Sequence, residues 1–71
     1  MTMEQLKING VEKQFEQGIP ATVAALLDEL GFDSATVVAE VDGAIIKRED
    51  FAVTRLKKGQ NIELLRFVGG G

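Results

Sequence analysis

Cysteine, histidine and tryptophan are absent from this 71-residue sequence, and proline occurs once. Without cysteine there is no disulfide framework, no thiolate nucleophile and no thiolate zinc site. Without histidine the commonest metal ligand and general base are missing as well. These absences argue against a freestanding hydrolase or a metalloprotein. They suit a reducing compartment, and the chain is read as cytoplasmic. Long apolar runs are also lacking, and Met1 to Gly10 does not show a basic start followed by an apolar stretch. Neither a membrane span nor a targeting segment is therefore expected.

Apolar types make up 45% of the sequence and charged types 27%, the balance of one small globular domain. A core of this size supplies only ~3 to 5 kcal/mol without staples. The net charge of −3 disfavours nucleic acid, whose backbone needs a basic surface. Charge is unevenly placed along the chain. Residues 1–46 hold two basic and eight acidic residues, whereas residues 47–71 hold six basic and three acidic. That reversal is compatible with an ordinary solvated surface or with the steering of a partner protein.

Residues 3–8 alternate, with Leu6 and Ile8 on one face and Lys7 on the other, the pattern of a half-buried strand. Asn9-Gly10 suits a two-residue type I′ turn, so Val11 to Phe15 is expected to fold back as a second strand. Gly18 and Pro20 mark a loop. Thr22 is placed to cap a helix in which Val23, Leu26, Leu27 and Leu30 form one apolar stripe, and Gly31 supplies a left-handed stop. A third strand is expected from Thr36 to Val41, then a tight turn at Asp42-Gly43 and a short strand from Ala44 to Ile46. Lys47 to Leu56 shows no clear period. It is read as an irregular crossover with one short helical turn, sending Phe51, Val53 and Leu56 back to the core. A turn around Gly59 leads to a last strand, Ile62 to Val68, apolar on both faces and hence expected at the centre of the sheet. One helix with one apolar stripe gives a two-layer α+β domain over residues 1–68. Gly69, Gly70 and Gly71 follow as a tail.

Few residues suggest chemistry of their own. Glu49 and Asp50 are adjacent and would point apart, as solvated turn residues do, rather than form an acid/base pair. Lys57-Lys58-Gly59 lacks the spacing of a phosphate loop. Leu65 and Phe67 allow two readings: they fill a second, minor core under the crossover, or, with Arg66 between them, they form an exposed partner-docking surface beside the tail. The three glycines bury no side chain and cost entropy wherever they are ordered. They are either a frayed end or a thin arm able to enter a narrow active site and deliver the carboxylate of Gly71.

The stretch VDGAIIKREDFAVTRLKKGQNIELLRFVGGG resembles the closing half of the thiamine-biosynthesis sulfur-carrier proteins, the ThiS family. The ING hairpin and the TVAALLDELG helix resemble its opening half. The most specific matches are the Asp42-Gly43 turn, Arg48 with Phe51, the Lys58-Gly59 turn and Gly70-Gly71. One departure is Gly69, where other members can carry alanine.

The resemblance implies a ubiquitin-like β-grasp fold, a mixed sheet of four to five strands on one helix. It also implies a protein cosubstrate rather than an enzyme. A ThiF-like partner would adenylate Gly71 with ATP, the chain itself binding no cofactor. Sulfur from a cysteine desulfurase route would then displace AMP to leave a thiocarboxylate, and a ThiG-like thiazole synthase would take the sulfur. Gly69 and Gly70 would thread into the partners' active sites, and the chain alone would be a monomer. The alternatives are a carrier for molybdopterin or another sulfur pathway, and a ubiquitin-like interaction or modifier module.

Overall fold

A computed structural model describes residues 3–67. Five strands and one helix follow in the order β1 (Glu4–Ile8), β2 (Val11–Phe15), α1 (Val23–Leu30), β3 (Val37–Val41), β4 (Ala44–Ile46) and β5 (Asn61–Arg66). They form one mixed sheet of order β2-β1-β5-β3-β4. The β1–β5 pairing is parallel and the other three are antiparallel. This is the β-grasp arrangement, with the last strand at the centre as its two apolar faces predict.

Both hairpins turn on residues that tolerate a left-handed backbone. Asn9 and Gly10 have φ of 51° and 83°, and Asp42 and Gly43 have 50° and 86°, the signs a type I′ turn requires. The helix is bounded by its own caps. The Thr22 hydroxyl accepts the Ala25 N–H at 3.1 Å. At the other end Gly31 turns left-handed, its N–H donating to Asp28 O while Phe32 N–H donates to Leu27 O, so the last carbonyls are paired.

The core lies between α1 and one face of the sheet. Val23, Leu26 and Leu27 from the helix meet Leu6, Phe15, Val37, Ala39, Val41, Ile62 and Leu64 from the strands. Leu30 packs at its margin. Phe51 and Leu56 of the crossover close the end of this core, and the crossover is stitched to the start of the helix. Val23 N–H donates to Thr54 O, Ala24 N–H to Phe51 O and Leu56 N–H to Ala21 O, each at 3.0 Å. The expected helical turn is a 3-10 turn over Arg48–Asp50.

Three details differ from the sequence reading, and a fourth decides between its two readings of Leu65 and Phe67. Val53 is 71% exposed, because Phe51 and Leu56 take the core positions and Val53 rides on the outside of the turn whose N–H groups bond Asp50 O. Strand β3 begins at Val37, since Ser34–Thr36 form a 3-10 turn capped by the Asp33 carboxylate. Strand β5 ends at Arg66, and Val68 lies outside the described residues. The crossover packs on the helix side and so leaves the outer face of β5 uncovered.

Candidate functional site

β5 is the last element among the described residues, so the surroundings of this strand define the candidate site. Two turn residues hold β5 from opposite sides. On the β1 side, Leu64 N–H donates to Asn9 Oδ1 at 2.7 Å and Asn9 Nδ2 donates to Leu64 O at 3.1 Å. The parallel ladder has reached Ile62 by this point, through Asn9 N–H donating to Ile62 O at 2.8 Å. The Asn9 amide therefore acts as one more backbone unit and extends the ladder along β5. On the β3 side, Asn61 N–H donates to Asp42 Oδ1 at 2.9 Å, and Asp42 N–H donates to Asn61 O at 2.7 Å. Asn9 and Asp42 are also the two non-glycine residues with positive φ among the described residues. Their short polar side chains both tolerate that backbone and reach across to β5.

At its end β5 continues for one more bond, from Phe67 N–H to Thr36 O at 3.0 Å. The adjoining 3-10 turn is tied down by Arg48, whose Nη2 donates to Ala35 O at 3.2 Å. The Arg66 guanidinium lies 4.8 Å from the centroid of the Phe32 ring, a cation–π contact at the end of the helix.

Along β5 the side chains alternate. Ile62 and Leu64 enter the core, whereas Leu65 is 65% and Phe67 46% exposed. The reading in which these two fill a second core is thereby set aside. Leu65 pairs directly with Val38 of β3, and Ile45 of the edge strand β4, 68% exposed, pairs with Glu40. Leu65 and Phe67 thus belong to an apolar group on the outer face, whereas Arg66 turns toward Phe32. Sequence alternation exposes this grouping only after the register is known, because Val38 and Ile45 come from other strands.

Glu49 and Asp50 are exposed residues of the 3-10 turn. Gly69, Gly70 and Gly71 lie outside the described residues. Among the described residues, no group of three or more histidine, cysteine, aspartate or glutamate side chains is arranged to hold a metal ion. No helix there is long and apolar enough to cross a membrane.

The model of the ThiS family matches residues 3–71. The crystal structure of thiamine biosynthesis protein ThiS from Geobacter metallireducens is 32% identical with a TM-score of 0.81, covering 94% of this chain and 99% of that one. The solution structure of a thiamine biosynthesis protein from the same organism is also 32% identical, with a TM-score of 0.79, covering 94% and 87% of the two chains. A thiazole synthase of Paramagnetospirillum magneticum is 39% identical over 67 residues. These are 94% of this chain but 20% of that protein, so the chain spans about a fifth of the length of this curated relative. With the five-stranded mixed sheet on one helix and a family match along nearly its whole length, the chain belongs to the ThiS family, the small sulfur-carrier proteins of thiamine biosynthesis.

Proposed function

We propose that Gly71 is the group-bearing residue of this carrier and that its carboxylate holds sulfur as a thiocarboxylate. The family match running through to Gly71 carries this reading. The chemistry asks little of the chain. A ThiF-like partner joins the Gly71 carboxylate to AMP at the expense of ATP and releases pyrophosphate. The outer sulfur of a persulfide formed by a cysteine desulfurase then attacks the acyl carbon and AMP leaves, and an external thiol cleaves the resulting acyl disulfide to give the thiocarboxylate and a disulfide. The chain contributes the carboxylate, and the partner supplies the nucleotide site and the catalytic groups. A sequence without cysteine or histidine suits that division, since no internal thiol competes for the activated acyl carbon.

The rest of the chain serves presentation in this reading. Gly69 and Gly70 carry no Cβ and fit a channel too narrow for side chains. Leu65 and Phe67, exposed on the outer face at the end of β5, dock the partner, while Arg66 on the opposite face is engaged with Phe32. The kinship with part of a thiazole synthase supports a ThiG-like enzyme as the sulfur acceptor, because a domain of this kind there shares a chain with further sequence.

Complementation tests the client. A chain ending at Gly71 is expected to restore thiamine-independent growth to a strain lacking its own carrier. It is expected not to restore a strain lacking the small subunit of molybdopterin synthase. The converse pattern would move the chain to the molybdopterin pathway. Restoration by a chain lacking Gly71 would refute the assigned residue.

A further inference from the structure

The outer face of the sheet places two carboxylates inside its apolar group. In the β3–β5 register Glu40 lies directly opposite Glu63, and Val38 directly opposite Leu65. On the other side Glu40 is paired with Ile45. One cross-strand row therefore reads Ile45, Glu40, Glu63, and the pair Val38 and Leu65 lies next to it. Directly opposed residues have Cβ atoms about 4.5–5.5 Å apart, and like charges so placed are destabilising. The same two glutamates line an open cavity of about 430 Å³ with Asp42, Asn61 and Lys7, so three carboxylates face one ammonium. The like-charged pair does not contribute to stability, and the acidic groups are not arranged to hold a metal ion.

We propose that this face is completed by an arginine of the adenylating partner, which bridges Glu40 and Glu63 while an apolar side chain of the same partner covers Leu65 and Val38. The proposal rests on the carrier reading above and specifies the chemistry of the docking partner. Two carboxylates on neighbouring strands match the planar fork of a guanidinium, whose N–H groups pair two acceptors at once, better than the point charge of an ammonium. Arginine is also enriched at the centres of protein interfaces. Ile45, Val38 and Leu65 around the pair exclude water when covered, which strengthens the charge-assisted bonds. Charge complementarity thus selects a basic, partly apolar partner surface. The repulsion between Glu40 and Glu63 in the free chain is relieved on docking.

The test uses the whole chain and an adenylating enzyme that charges another ThiS-family carrier. The KM for the chain is measured by ATP–pyrophosphate exchange, and the Tm of each chain variant is recorded. The double variant Glu40→Gln and Glu63→Gln is expected to raise KM about tenfold or more, as loss of a buried charged pair does, with kcat little changed. Its Tm is expected to equal or exceed that of the natural chain, because a repulsion has been removed. Removing two charges elsewhere, by Glu49→Gln and Asp50→Gln, is expected to leave KM unchanged. An unchanged KM in the Glu40/Glu63 variant, or an equal rise in both double variants, overturns the proposal while the carrier reading stands. Self-association of the natural chain that the Glu40/Glu63 variant loses, with KM unchanged, assigns the face to a second copy and also overturns it. A natural chain that is never charged overturns the carrier reading and this proposal together.

Discussion

Asn9 offers the sharpest test of how the fold presents its last strand. Asn9→Gly keeps a residue that adopts the required φ of 51° without strain, yet it removes both side-chain bonds to Leu64. Each part-buried bond contributes about 1 kcal/mol, and the two groups on Leu64 lose their partners together, so the loss is about 2 kcal/mol. Asp42→Gly is the matched control. It changes the equivalent turn position at the same positive φ and removes one exposed bond, to Asn61 N–H, for about 0.5 to 1 kcal/mol. Urea titrations should show lower midpoints for both variants than for the natural chain with the slope unchanged, Asn9→Gly falling about 1 kcal/mol further than Asp42→Gly. In a domain this small the Asn9 variant should melt about 8–16 °C lower. Amide exchange at Leu64 should quicken in the Asn9 variant and hardly change in the Asp42 variant. If Asn9→Gly costs no more than Asp42→Gly, the claim that the Asn9 amide completes the β1–β5 ladder is wrong.

Three other predictions concern the helix, the crossover and the docking face. Thr22→Ala removes the cap on Ala25 N–H and should cost about 1 kcal/mol by denaturant titration. Phe51→Ala should cost about 3–5 kcal/mol, enough to unfold much of the population, whereas Val53→Ala, two residues on, should stay within about 0.5 kcal/mol. Leu65→Asp should leave stability nearly unchanged and weaken binding to the adenylating partner by about tenfold or more. A comparable loss of stability in that variant would show that Leu65 is packed in the free chain.

Most of the architecture is legible because local signals agree with one another. The Asn9-Gly10 and Asp42-Gly43 pairs set both hairpins, and Thr22 and Gly31 bound the helix at the residues expected of them. The position of β5 follows from the two apolar faces of Ile62 to Phe67. Legibility fails where tertiary contacts choose between equivalent apolar residues. Nothing local separates Val53 from Phe51, and the difference arises from the way the crossover is stitched to the start of α1. Likewise, alternation puts Leu65 and Phe67 on one face but does not say whether that face is covered. The role of Asn9 shows the same limit from the other side. Its turn propensity is readable, but its bonds to a residue 55 positions away are not. The grouping of Glu40 with Glu63 and Ile45 depends on register across three strands and so also lies beyond a linear reading.

Gly71 is the residue proposed to hold the sulfur. The most direct test is the intact mass of a chain ending at Gly71 after incubation with ATP, its adenylating enzyme, a cysteine desulfurase and cysteine. Fragmentation would locate any change. One oxygen is expected to be replaced by one sulfur at Gly71, and a chain lacking Gly71 is expected to gain none. An unmodified mass under conditions that charge another ThiS-family carrier, or sulfur located at any other residue, would contradict the assignment.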